Sequence, residues 1–531
     1  FGGMLMSARL KEMGVSKIRI IEKAGDFGGT WYWNRYPGAQ CDIESYVYLP
    51  LLEETGYVPK EKYSFGPEIF EHAQRVGKHF DLYPCACFQT LVREARWDDQ
   101  KNYWRVTTDR DDVFRAKYVV MSSGSLNRPK LPGIPGVEKF KGHTFHTSRW
   151  DYAYTGGDSN GNLHKLSDKR VAVIGTGATS IQSVPHVGEW AKELFVFQRT
   201  PSSIDERSNG PTDPEWAKSL KPGWQEARNH NFSSILSGMP VEEDLVNDGW
   251  TDLFKALNKL LADSDGADFS MEEMGLLAEI SDFQKMNKTR DRVDQTVADP
   301  STAQALKPWY RPWCKRPTFN DEFLPTFNRP NVTLVDTDGK GVERITEKGV
   351  VFDGVEYEVD CLIYATGFEI GRKTYTKQAE IEIFGHDGLS LADHWSNGMR
   401  TFHGFYSHGF PNCFHMGFTQ TGFVPNFTYM LDNQAKHIVA VINEAITRGL
   451  ASVEASAEAE ADWVATVNAP DNMTEYLSNC TPGYYNGEGQ AEGSEGFLQG
   501  HYGEGGVQFY ALLNNWLEQG DLKGLTLKKS E

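Results

Sequence analysis

Between Lys169 and Gln198 the chain spells out a complete strand, turn, helix and second strand, and this unit restricts the fold more than any other stretch. Lys169-Arg170-Val171-Ala172-Val173-Ile174 is an apolar run of buried-strand length. It leads into Gly175-Thr176-Gly177-Ala178-Thr179-Ser180, then a helical stretch from Ile181 to Val187, then Leu194-Phe195-Val196-Phe197-Gln198. The pattern is GxGxxS. Glycines at the first two positions allow a tight turn and a close backbone approach to a diphosphate at the helix N-terminus, and Ser180 is small enough to keep helix and strand together. The second strand ends in Arg199-Thr200 rather than an acid. An acid there would repel a ribose 2′-phosphate, whereas an arginine beside a hydroxyl binds it, so this unit is expected to take NADP rather than NAD.

The chain opens on what reads as the second half of a similar unit. Phe1-Gly2-Gly3-Met4 runs into a helix ended by Gly14, and Lys17-Ile18-Arg19-Ile20-Ile21-Glu22 is a strand closing on an acid. The preceding strand and the first two glycines are expected upstream of Phe1, with Gly3 as the third glycine, at the close approach of helix and strand. Glu22 is placed to bind a ribose 2′-hydroxyl. A glycine-terminated helix beside an ordinary strand is the plainer alternative.

Further strands are expected at Tyr103–Thr108, Tyr118–Gly124, Asn331–Asp336, Val350–Phe352 and Cys361–Phe368, and a long helix over Asn426–Arg448. The segment 207–312 is Pro-punctuated and then amphipathic, and is expected to be a helical insertion without chemistry of its own. The fold class is therefore α/β, with two Rossmann-like dinucleotide-binding domains. The first takes 1–137 and 369–531, and the second 151–206 and 313–368.

Composition narrows the function. The 531 residues carry a net charge of −19, which disfavours nucleic acid and anionic membranes as partners. No apolar run reaches the ~18–20 residues a spanning helix needs, and the opening residues lack the basic start of an export signal, so cytoplasmic residence is the expectation. The seven cysteines are odd in number and include no CxxC pair, which argues against a disulfide framework, a structural zinc and a redox dithiol; no metal site is expected.

Two nucleotide units in one chain imply an electron donor and an acceptor held face to face, and three motifs sharpen this. Phe140 to Trp150 matches FxGxxxHxxxW through Phe140, Gly142, His146 and Trp150. Gly28-Gly29-Thr30-Trp31 leads through Tyr36-Pro37-Gly38 to Asp42, and Ala365-Thr366-Gly367 precedes Phe368. Together these resemble the class B flavin monooxygenases, and within them the Baeyer–Villiger monooxygenases of the branch acting on bulky cyclic, macrocyclic or polycyclic ketones.

The resemblance implies FAD on the first unit, NADP on the second, and a ketone and O2 as substrates, with a flavin peroxide converting the ketone to an ester or lactone. Arg316 matches the catalytic arginine, Lys315 its nucleotide-binding neighbour, and Asp42 the acid that holds the arginine. On residue type alone, the readier readings are a surface cation for Arg316 and a helix N-cap for Asp42. Gly29, Thr30 and Trp31 are expected at the flavin. Gly175, Gly177, Ser180, Arg199, Thr200 and Lys315 are expected at NADP, with Tyr484 offered where some relatives carry Trp. His146 and Trp150 are expected in an interdomain linker, and Ile43, Val424 and Phe427 at the substrate pocket. An N- or S-oxygenating flavin monooxygenase and a non-catalytic FAD/NADP-binding redox sensor are the alternatives.

Overall fold

A computed structural model describes residues 1–252, 254–255, 271–370, 376, 379–469, 476–489 and 500–530. Part of the expected insertion, 253 and 256–270, lies outside these residues.

The complete unit forms the centre of a five-stranded parallel sheet. Its order is Val332–Asp336, Glu193–Gln198, Arg170–Ile174, Cys361–Tyr364 and His143–His146. Val171, Ala172 and Val173 are fully buried, as are Cys361, Leu362 and Ile363. This burial on both faces explains why the strands read as continuous apolar runs rather than alternating ones. The helix Ala178–Trp190 covers one face, with Ile181, Val184 and Val187 packed against Leu194 and Val196. Ser180 is completely buried, so a small third residue does fit between helix and sheet.

Two expectations are corrected here. The stretch 143–146 is an edge strand, not part of a linker: it pairs in parallel with Cys361–Tyr364, with His146 buried opposite Tyr364. The strand from Cys361 stops at Tyr364 rather than running to Phe368. Gly367 turns the chain with φ +74°, and the Thr366 hydroxyl bonds the Lys130 carbonyl at 2.5 Å.

The first unit carries the helix Gly2–Glu12, packed on the long helix Phe427–Thr447 through Leu5, Ala8, Leu431 and Ala435. Ile20–Ile21 pairs in parallel with Ala86–Cys87, and Val119–Met121 with Cys413–His415. The close approach expected of Gly3 falls on its neighbour. A Cβ on Gly2 would lie 2.0 Å from the Ser122 hydroxyl, whereas one on Gly3 meets nothing within 4 Å. A four-stranded sheet, Glu382–Phe384, Val92–Asp98, Tyr103–Thr108 and Val113–Ala116, flanks this half.

Between the halves the chain is largely helical, with Pro214–Ser219, Trp224–Leu236, Met271–Thr296 and Pro300–Leu306. Among the described residues no helix is long and apolar enough to cross a membrane.

Candidate active site

Asp42 and Arg316 meet although 274 positions separate them. Asp42 sits in the loop before the short helix Ser45–Tyr48, whose N-cap is Glu44, so its carboxylate is not used as a cap. Arg316 follows the turn Pro312–Cys314 and precedes the short strand Thr318–Phe319. The pair is bidentate: Nε donates to Oδ2 and Nη2 to Oδ1, each at 2.9 Å. Two parallel hydrogen bonds fix the guanidinium plane as well as its position. Burial opposes the charge, but Asp42, with Tyr485 and Tyr484 adding to it, outweighs that penalty and lifts the pKa of Arg316 above its ordinary value. The cation is permanent.

Three groups that sequence reasoning missed hold this pair. Trp250, in the segment expected to carry no chemistry, donates its indole N–H to the Asp42 carbonyl at 2.7 Å, and its ring lies 5.4 Å from the Arg316 guanidinium carbon. Arg207, only 6% exposed, donates to the Phe319 carbonyl through Nε at 2.9 Å and to the Cys41 carbonyl through Nη1. Tyr485, rather than Tyr484 alone, completes the surround: it is 2% exposed and hydrogen-bonded to Arg316. The segment therefore does contribute to the site. Its apolar residues Phe232, Val246 and Trp250 pack on Ile43, Val47 and Phe319 and bring the indole to the loop.

The disulfide expectation is also corrected. Cys314 and Cys480 are bonded to each other, and Cys41, Cys85, Cys87, Cys361 and Cys413 are free. The bridge ties the chain just before Lys315-Arg316 to the loop that carries Tyr484 and Tyr485. An odd count and wide spacing concealed a pair that only the tertiary fold brings together.

At the second unit, Gly175 adopts φ +108°, and a Cβ there would strike the Ala365 carbonyl at 2.6 Å; Gly177 precedes the helix as its N-cap. Arg199, Thr200 and Lys315 converge at the end of the second strand. The Lys315 ammonium donates to the Thr200 hydroxyl, and Lys315 is pushed down to about 8 by burial and by the neighbouring Arg199. Arg199 is paired with Glu488 at 3.0 Å.

Gly142, His146 and Trp150 pack within the second half, and Arg149 and Gln182 bridge it to the first. Gly142 has no room for a side chain, since a Cβ would meet the Phe140 ring at 2.4 Å and the Asp360 carbonyl at 2.7 Å. His146 accepts from the Ser148 amide through Nδ1, and burial lowers it to about 4, so it is neutral at physiological pH. Trp150 donates to Thr155 and packs on Phe145, and Arg149 stacks on Trp33 at 3.9 Å. Gln182, on the helix Ala178–Trp190, accepts from the Tyr36 hydroxyl at 2.8 Å and donates to the Gln40 carbonyl at 2.9 Å, clasping the loop that leads to Asp42. Gly38 presses on this clasp with φ +76°, where a Cβ would meet the Gln182 carbonyl at 2.5 Å.

The other predicted residues are placed as follows. Glu22 follows the strand Ile20–Ile21 and accepts from the Ala24 amide at 2.7 Å. Gly29, with φ +51°, caps the short helix Thr30–Trp33, and Trp31 donates to the Tyr48 hydroxyl at 3.0 Å. Ile43 and Val424 are 1% and 2% exposed, whereas Phe427 is half-buried and stacked on Phe418 at 4.8 Å.

The residues of the second unit fit a nucleotide. Arg199 and Lys315 form a cationic pair at a strand end, Gly175 and Gly177 leave the helix N-terminus clear of side chains, and Arg316 is held as a fixed cation between the halves. Comparison with known proteins agrees. Residues 44–217 match the family described as FMO-like, flavin-binding monooxygenase-like. Pentalenolactone D synthase from Streptomyces exfoliatus is 53% identical over 99% of this chain and 91% of its own. Baeyer-Villiger monooxygenase ATR8 from Stachybotrys chlorohalonatus is 50% identical over 99% and 84%. Among solved structures, the polycyclic ketone monooxygenase from Thermothelomyces thermophila superimposes with a TM-score of 0.89 at 39% identity, over 99% of this chain and 88% of that one. The chain belongs to the Baeyer–Villiger monooxygenases, the FAD-dependent, NADPH- and O2-consuming enzymes that convert ketones to esters or lactones.

Proposed function

We propose that this chain oxygenates bulky cyclic or polycyclic ketones at a site centred on Arg316 and Asp42. The observation that carries the assignment is the bidentate pair itself, which sets a permanent cation between the two nucleotide units. The names of its relatives, a pentalenolactone D synthase and a polycyclic ketone monooxygenase, support a bulky substrate.

When bound, FAD and NADPH together supply the electrons and the activated oxygen that the reaction transfers. The protein's own residues supply position and charge. Arg316 neutralises the negative charge that develops on the ketone oxygen, and it needs no reorganisation because Asp42 already fixes its plane. Asp42 is kept in register by Trp250 at its carbonyl. Tyr485 and Tyr484 lie beside the guanidinium, and the partial burial there strengthens its field. Arg199, Thr200 and Lys315 take the 2′-phosphate. Gly175 and Gly177 take the diphosphate of the same nucleotide, with Ser180 packed between helix and sheet behind them, while Gly3, Glu22, Gly29, Thr30 and Trp31 serve the flavin. Phe427 lines the substrate side, with Ile43 and Val424 shaping the wall from behind.

We assign 1–137 with 369–531 to the flavin half and 151–206 with 313–368 to the nicotinamide half. The parallel sheet supports adding strand His143–His146 to the latter.

The test is Arg316→Ala in the flavin-loaded enzyme, assayed on a panel of cyclic and polycyclic ketones by product mass spectrometry for the gain of one oxygen. Loss of ~10²–10³ in rate with flavin retained is expected. Near-normal oxygenation would overturn the assignment of these residues.

A further inference from the structure

The loop that follows the disulfide ends on an acid that occupies the cations of the nucleotide site. Glu488 accepts from Arg199 Nη2 at 3.0 Å with one carboxylate oxygen and from Lys130 Nζ at 3.1 Å with the other. Burial works against its charge, but Lys130 and Arg199 hold its pKa below the usual carboxylate value, so it is ionised. Its backbone is also unusual for a side-chain-bearing residue, with φ +61° and ψ +34°, a left-handed conformation that only a compensating contact maintains. The loop itself is pinned from within: Asn486, 3% exposed, accepts from the Gly483 and Gly489 amides at 2.9 and 3.2 Å and donates to the Cys480 carbonyl at 3.1 Å. Glu488 is therefore presented to Arg199 by a shaped loop.

A 2′-phosphate carries about −1.5 to −2 charge and three strong acceptor oxygens, against a single negative charge on the carboxylate. Both would claim the same guanidinium, and two anions side by side repel each other. We infer that Glu488 is a specificity-determining residue that acts as an internal competitor for the 2′-phosphate, so that NADPH binds by exchanging with it at Arg199. This inference rests on the assignment of Arg199 to the 2′-phosphate. NADH has no such phosphate, leaves the ion pair intact and is unaffected by the competition. The exchange takes place in reach of solvent, since the Arg199 and Glu488 side chains are 51% and 37% exposed. It also reaches the reaction centre, because Tyr484 and Tyr485, on the same loop, lie beside Arg316.

The experiment measures dissociation constants of NADP⁺ and NAD⁺, and Michaelis constants of NADPH and NADH, on flavin-loaded wild type, Glu488→Gln, Arg199→Ala and the double variant. Glu488→Gln is expected to tighten NADP⁺ by about two- to fivefold, the range that exposed ion pairs reach, and to leave NAD⁺ unchanged. In the Arg199→Ala background the same change should tighten NADP⁺ less. Unchanged or weaker NADP⁺ binding by Glu488→Gln, or equal tightening of both nucleotides, would overturn the inference. If Arg199→Ala weakens NADP⁺ and NAD⁺ alike, the 2′-phosphate assignment fails instead. Selective weakening by Arg199→Ala without tightening by Glu488→Gln isolates the failure to Glu488.

Discussion

Cys314 and Cys480 are joined across 166 positions of sequence, and the bond lies two residues before Arg316. The arginine proposed to carry the reaction's charge is thus stapled to the loop whose tyrosines lie beside it. A closed loop of that size limits the unfolded chain strongly, by about 5 kcal/mol in the chain-entropy limit and more commonly by 2–4 kcal/mol.

Cys480→Ser is accordingly expected to lower the unfolding temperature of the flavin-loaded enzyme, and Cys314→Ser/Cys480→Ser to lower it no further. Non-reducing peptide mapping should recover the 314–480 cross-link from the wild type. Thermal unfolding identical in wild type and both variants would show that the bond contributes nothing.

Arg207 joins the halves through backbone carbonyls. Its guanidinium spans the Cys41 and Phe319 carbonyls, so it ties the Asp42 loop to the strand that follows Arg316. Arg207→Met keeps the apolar stem and leaves both carbonyls unsatisfied, which costs roughly 1–3 kcal/mol for each buried group. The expected outcome is a less stable enzyme that still binds flavin and loses kcat on a ketone more than it gains in KM for NADPH. A variant with wild-type kcat would show that the Asp42 loop is positioned without it.

Much of the fold was legible because its signals are local. The runs Val171–Ile174 and Leu194–Phe197 are apolar on both faces, as strands of a covered parallel sheet must be, and Gly175 marks a turn that tolerates nothing larger. Arg199-Thr200 stood out by charge at the strand's end, and the structure places both beside Lys315. Asp42 and Arg316 were not: residue type left both open, and only the motifs around them singled them out. Arg207, Trp250 and Gln182 escaped because each serves a backbone carbonyl, and a carbonyl's position is written in the fold rather than in any side chain. Glu488 escaped for a related reason, since its partners, Arg199 and Lys130, come from distant parts of the chain.

Buried histidines are expected to weaken the fold in acid. Burial lowers His403 and His437 to about 3, with His403 also disfavouring charge on His437. Their folded values lie below the unfolded value near 6.5, so the unfolded chain binds more protons as pH falls. Stability is fully present above about pH 6.5 and falls toward pH 3, by up to ~1.4 kcal/mol per pH unit for each such group. His386 acts in the opposite direction. Glu454 first and Asp99 next outweigh desolvation and raise it to about 9, so its contribution is full below pH 6.5 and fades as pH rises through 9. Urea unfolding between pH 5.5 and 9.5 should therefore show declines at both ends. His403→Gln should flatten the acid arm, and an unaltered acid slope would refute the role of that histidine.

The indole of Trp250 offers the finest probe of the site, because it touches the acid and not the chemistry. Its N–H bonds the Asp42 carbonyl at 2.7 Å, and its ring packs on Phe319 and Trp313 as well as lying near Arg316. Trp250→Phe keeps most of the packing and removes the donor, leaving the Asp42 carbonyl short of one hydrogen bond. Such a loss costs about 1–1.5 kcal/mol, equivalent to roughly five- to tenfold in rate if it is expressed in the transition state. Arg316 should remain charged, flavin should remain bound and the NADPH Michaelis constant should hold, while kcat for a good ketone falls by that factor. A uniform loss of flavin and nucleotide binding would instead mark Trp250 as a packing residue, whereas a selective fall in kcat would show that the Asp42–Arg316 geometry depends on the indole hydrogen bond.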